Sequence, residues 1–325
     1  MKAWGAVILL LLFCDCSGKQ AKKETNPDFS IIRFDSLLYQ YLTQSEPDSS
    51  LLKTEKDFLD EYGEKIMGIG RSDSGGFYDR LQAFFSEPTL MSLYQDQQTQ
   101  FADISEINFE LSLAMKKLFE TFPDLKKPRI YMHVSGLNQN VIVSDEILSL
   151  SIDKYLGADY PLYQQFFYDY QLQLMSPDRI VPDYLLGFLM ANFPFKGKED
   201  VLLDRMLYEG KLRYILSCLL PTRKTWEWVG YNEEQYAWSV ENQSKIWKTI
   251  LENRHLYTPD YILTSQYLKD SPYTAPLTPD SPGRVGVWLG FQIVAAYMKL
   301  YPEVSLPELM EKTDYQELLK LSKFK

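Results

Sequence analysis

RIYMHVSGLNQNVIVSDEILSLSID, residues 129–153, is the stretch on which the fold turns. Three β-branched or aromatic runs, RIYMHVS, NVIVS and ILSLSID, follow one another, with Gly136-Leu137-Asn138-Gln139-Asn140 breaking the first from the second. Such runs suit a pleated, buried surface, and no other part of the chain shows them convincingly, so one small sheet is predicted. On both sides the apolar spacing lengthens to three and four. From Phe77 to Phe122 it places Phe84, Phe85, Phe101, Ile104, Ile107, Leu111, Met115 and Leu118 on helices that Pro123 and Pro128 close. Helices are also predicted over 160–175, 183–192, 201–220 and 233–252. Ser281-Pro282 reads as the N-cap and first turn of a last helix. Its run VGVWLGFQIVAAYM, 285–298, is apolar on nearly every side and should cross the interior. Before the sheet, 28–60 reads as a short strand or turn followed by helical segments. The Gly68–Gly76 loop GIGRSDSGG has no Lys-Ser or Lys-Thr after its glycines, which argues against a phosphate cradle. No solenoid period is present. The expected fold is mainly α with a small embedded β-sheet (α+β), in a single globular domain over 28–325.

With 325 residues, 45% of them apolar, the chain can bury a substantial core. Its net charge of -10 opposes phosphate backbones, so nucleic acid is not an expected partner. Two histidines, His133 and His255, and three cysteines leave little material for a soft-ligand metal centre, and neither a metal nor another cofactor is expected. His133, flanked by Met132 and Val134, reads as structural. Cys218 lies in the apolar stretch YILSCLLP and reads as an inert thiol.

The N-terminus addresses the compartment. Lys2 precedes the apolar run WGAVILLLLF, 4–13, which ends at Cys14-Asp15-Cys16-Ser17-Gly18. That is a secretory signal over 1–15, too short to span a bilayer as a mature helix. A cysteine directly after such a run is the arrangement of bacterial lipoproteins, in which the thiol is acylated. Phe13 and Asp15 both depart from the small residue usual before that cysteine, so Cys14 and Cys16 both stay open. An ordinary cleaved signal with incidental cysteines is the alternative. Residues 16–27, polar and charged, read as a flexible tether between lipid and folded body.

Among polar side chains, Glu209 sits in RMLYEGKLRYI near Lys211 and Arg213, where an ion pair is the plainer role than acid–base chemistry. Asp183 follows Pro182 at a predicted helix start and suits a helix-stabilising charge. Arg284 opens the last helix, where backbone N–H groups favour an anion. A structural salt bridge is the plainer alternative for it. Trp226, Trp228, Tyr231, Tyr236 and Trp238 cluster around Gly230, and either line a groove for a glycan or peptide or fill the core.

Five blocks resemble the gliding-motility-associated lipoprotein GldB family of Bacteroidetes: FDSLLYQ (34–40), LSIDKYLGADYPLY (150–163), RMLYEGKLRYI (205–215), VGYNEEQYAWSVENQSKIW (229–247) and SPGRVGVWLGFQIVAAYM (281–298). The resemblance implies an envelope lipoprotein associated with gliding and protein secretion, with no established enzymatic activity. A more distant resemblance is to zincin-like metallopeptidases, whose HExxH helix would fall on Asp183-Tyr184-Leu185-Leu186-Gly187 and whose Glu-Gly would fall on Glu209-Gly210. Only Glu209 matches a ligand, so this likeness implies a degenerate zincin-like fold with its chemistry lost. The expected protein is held to a membrane by its N-terminal lipid, in the periplasm or at the outer membrane. It binds envelope proteins or other envelope components and is more a binding protein than an enzyme. A divergent zincin-derived hydrolase and a glycan- or peptide-binding lipoprotein are the alternatives. In cells fed labelled palmitate, one of the variants Cys14→Ser and Cys16→Ser should lose the label. Undiminished label in both would sink the anchor.

Overall fold

A computed structural model describes residues 29–138 and 141–325. The signal segment, Cys14, Cys16 and the tether lie outside the described residues. Four strands form one sheet in the order β1-β2-β4-β3, with β1 Ile31–Arg33, β2 Arg129–His133, β3 Val141–Val143 and β4 Ile147–Ser151. β1 and β4 run parallel to β2, and β3 is antiparallel to β4, with Met132 opposite both Arg33 and Leu150. The predicted runs thus supply three strands, and Ile31–Arg33 supplies the fourth.

Both faces of this sheet are covered, which explains why every residue of β4 is buried. On one face Tyr131 stacks on Phe58 with ring centroids 4.1 Å apart, and His133 meets Phe58 and Tyr62. The helix Ile180–Asn192 packs on β3 and β4, and the Tyr184 hydroxyl donates to the Tyr131 carbonyl at 2.7 Å. Beyond β2 the buried Asp153 carboxylate accepts from the backbone N–H groups of Ser135 and Leu137, at 3.1 and 2.7 Å. It thereby ties the loop after β2 to the end of β4. The Gly68–Gly76 loop is fixed in a similar way by Asp60, which accepts from Arg71 at 2.7 Å and from the Ser72 backbone at 2.8 Å.

The apolar run at 285–298 forms the helix Val285–Leu300, buried around most of its circumference, with Trp288, Leu289, Ile293 and Val294 fully enclosed. It packs along the helix Leu202–Leu219, and the two backbones meet at Gly210 and Gly290. A Cβ at Gly290 would fall on the Met206 carbonyl, and one at Gly210 on the Gly290 carbonyl. Glycine at both positions is what allows this approach. No helix among the described residues is long and apolar enough to cross a membrane.

Three local expectations differ from the structure. Ser281 does not cap the last helix. Its hydroxyl donates to the Thr278 carbonyl at 2.6 Å, and the helix begins at Val285 with Arg284 before it at φ 61°. The path of that corner is set from outside, by the Tyr231 hydroxyl donating to the Gly283 carbonyl at 2.8 Å. Residues 160–175 hold two single turns, Tyr163–Phe166 and Asp169–Leu172, because the Tyr163 hydroxyl is bound to the Asp153 carbonyl at 2.5 Å and pins the chain to the sheet. The stretch 233–252 breaks into Glu233–Glu241 and Gln243–Glu252 at Asn242, whose side-chain amide donates back to the Trp238 carbonyl at 2.9 Å.

Two stability measurements follow. Gly290→Ala should lower stability to denaturant by about 3 kcal/mol or more, because a methyl group has no room at the crossing. Gly75→Ala, with nothing within 4 Å, should be close to neutral. A Gly290→Ala protein as stable as wild type would contradict the crossing. The second measurement concerns His133, fully enclosed with Nδ1 2.6 Å from the Ser149 hydroxyl and Nε2 without a hydrogen-bond partner among the described residues. Burial pushes its pKa down to about 3 from 6.5. Between those values the unfolded chain binds the extra proton, so stability is complete above about pH 6.5 and falls as the pH drops towards 3. The His133→Asn variant should lose less stability than wild type between pH 7 and about pH 4.5 in denaturant titrations.

Candidate functional site

One cavity of about 710 Å³ opens where the end of β4, the helix Ile180–Asn192, the helix Leu202–Leu219 and the start of Val285–Leu300 converge. Asp183, Glu209 and Arg284, far apart in the chain, all line it. Each is placed by its own element. Asp183 lies in the first turn of the Ile180–Asn192 helix, which starts at Ile180, three residues before the predicted start. Glu209 and Arg213 lie four residues apart on the Leu202–Leu219 helix and so share a face. Arg284 is held just outside the last helix by the Gly283 corner.

The carboxylates are engaged. Asp183 accepts from Arg179 at 2.7 Å and from the Tyr155 hydroxyl at 3.0 Å. Glu209 lies 3.3 Å from Arg213 and 4.0 Å from Arg205, so it does hold an ion pair. Lys211, its other basic neighbour in sequence, turns away to the Met310 and Lys312 carbonyls at 3.2 and 2.7 Å. Arg284 meets Asp270 at the rim, 3.2 Å away. Arg213 is the most enclosed of the arginines lining the cavity, with its side chain 4% exposed. Burial, and then the charges of Arg284 and Arg179, push its pKa down to about 10, while Glu209 and Asp183 oppose the shift. It stays protonated at neutral pH.

Gly187, aligned with the second zincin histidine, also lines the cavity, and a Cβ there would press on Val141 Cγ1 at 2.5 Å. A ligand side chain at 187 would therefore displace β3. Among the described residues no three His, Cys, Asp or Glu side chains gather as a metal site. None of the aromatic cluster lines the cavity. Trp228 packs on Phe291 with ring centroids 5.9 Å apart and donates to the Leu220 carbonyl at 3.2 Å, and Tyr231 is buried. Trp226, Tyr236 and Trp238 are half-buried against the core.

The chain alone singled out neither Arg179, which a four-residue spacing from Asp183 could have suggested, nor Lys154, whose place follows from the β4 terminus. Cys218 is partly buried, and burial raises its thiol pKa.

A search of curated proteins returns no match, and a search of solved structures returns none either. The family profile described as gliding motility protein GldB matches residues 15–325. That span takes in the sheet, both crossing helices and every residue of the cavity, and the chain belongs to the gliding motility protein GldB family.

Proposed function

We propose that this GldB-family protein is a lipid-anchored component of the bacterial cell envelope that acts by binding, with the cavity beside Asp183, Glu209, Arg213 and Arg284 as its ligand site. The anchor reading rests on the cysteines that follow the apolar run 4–13 and on the family's gliding-motility description. The binding reading rests on one observation above the others. Residues from four separate elements converge on a cavity of about 710 Å³, inside the roughly 300–1,000 Å³ range of small-molecule sites. Its carboxylates are already held by arginines, as positioning groups are. Asp183 accepts from Arg179 and Glu209 pairs with Arg213, an arrangement that favours binding over acid–base chemistry. Membrane placement, periplasmic or outer-membrane associated, would hold the folded body near other envelope components on a tether of about a dozen residues.

Filling the cavity tests this directly. The full-length chain carrying Leu186→Trp, or separately Leu174→Trp, should reach the membrane with a wild-type circular dichroism spectrum. It should nevertheless fail to restore the phenotype of a strain lacking the gene. Full restoration by both variants would show that the cavity is dispensable.

A further inference from the structure

The charges inside the cavity do not balance. Setting aside the exposed rim pair Lys269 and Asp270, four basic side chains, Lys154, Arg179, Arg213 and Arg284, face two acidic ones, Asp183 and Glu209. This positive excess sits in a chain whose net charge is -10. The donors are not used up either. A guanidinium carries five N–H groups. Arg213 meets Glu209 only as an ion pair, and its buried Nη1 has no hydrogen-bond partner among the described residues. Arg284 pairs with Asp270, itself half exposed. Buried donors without acceptors are costly, and three guanidinium groups in one cavity repel one another. Each arginine has a carboxylate beside it, at 2.7 Å for Arg179, 3.3 Å for Arg213 and 3.2 Å for Arg284, but the cavity as a whole stays positive and the guanidinium donors outnumber the acceptors. Beside it the wall is apolar, formed by Phe167, Leu174, Met175, Leu186 and Met190.

We propose that the cavity recognises an anionic group, a carboxylate or a phosphate, carried on an apolar body, with Arg213 and Arg284 as its direct partners. The assignment rests on the binding role proposed above and names the chemistry of the ligand. Charge-assisted, forked hydrogen bonds from a guanidinium suit both anions. A cationic ligand would meet four positive side chains, and a neutral one would leave the donors unpaired. The apolar wall contributes affinity that an inorganic anion cannot draw on.

The probes are hexanoate, hexyl phosphate, inorganic phosphate, hexanol and hexylammonium, each titrated by calorimetry into the full-length lipoprotein in neutral detergent. Hexanoate or hexyl phosphate should bind measurably more tightly than hexanol, hexylammonium or inorganic phosphate. Which of the two binds better distinguishes a free acid or peptide carboxylate from a phosphate headgroup. Arg284→Gln should weaken the preferred anion by about tenfold, the loss expected for one charged hydrogen bond, and should leave the spectrum of the folded protein unchanged. Arg213→Lys, which keeps the charge but not the fork, should weaken it less than Arg213→Gln. Equal binding of hexanol and the two anions, or anion binding indifferent to both arginines, would overturn the assignment. If the cavity-filling variants abolish function while no anion is preferred, the anion assignment alone falls. If those variants restore function, the binding role falls with it.

Discussion

The contact between Gly210 and Gly290 governs the arrangement of this protein. Two long helices can approach until their backbones touch only where neither carries a side chain, and the sequence places glycine on both sides of that point. From it the rest follows geometrically. Glu209 and Arg213 flank Gly210 on the first helix, and Arg284 precedes the second by one residue, so the close crossing draws the three into one cavity. A wider crossing would move Arg284 away from Glu209 and Arg213, which stay together on one helix. The enclosed helix from Val285 to Leu300 supplies the apolar mass that makes the crossing favourable, since its buried faces gain from leaving water on almost every side.

The buried charges are held by a second constraint. An ion taken from water costs several kcal/mol unless partners replace the solvent, and lone buried charges are not tolerated for structure alone. Here Asp183 has Arg179 and Tyr155, whereas Arg213 has an ion pair with Glu209 and, among the described residues, no hydrogen bond for its buried Nη1. The polar groups around the sheet contrast with this. Asp153, Tyr163 and Tyr184 spend their hydrogen bonds on backbone groups and lock loops and helix to the strands. Polar burial near the sheet therefore fixes geometry, and polar burial in the cavity leaves capacity for something else.

Much of the architecture was legible in the residue pattern because its signals are local. The β-branched and aromatic runs between 129 and 153 marked three of the four strands, and the unbroken apolar run at 285–298 marked the interior helix. The failures were equally local in origin. Ser281 looked like a cap, but a hydroxyl caps a helix only if the backbone arrives at the right angle, and Tyr231 bends that corner from another part of the chain. The long helix expected over 160–175 was lost to a single tyrosine hydroxyl anchored on the sheet. Asp183, Glu209 and Arg284 were each singled out from their own neighbourhoods, with an ion pair foreseen for Glu209. Nothing in the string joined them, and Arg179 and Lys154 went unnoticed.

The amino-acid order by itself determined the class of fold, the family and the apolar N-terminal run with its two cysteines, since these depend on periodicity, composition and contiguous motifs. Only the tertiary structure decided that an aspartate, a glutamate and three arginines from distant segments share one cavity with an excess of positive charge. The reason is physical. A residue's local tendency acts over a few neighbours along the chain, whereas the field inside a cavity is the sum over groups brought together by packing, and that sum is undefined until the helices have crossed.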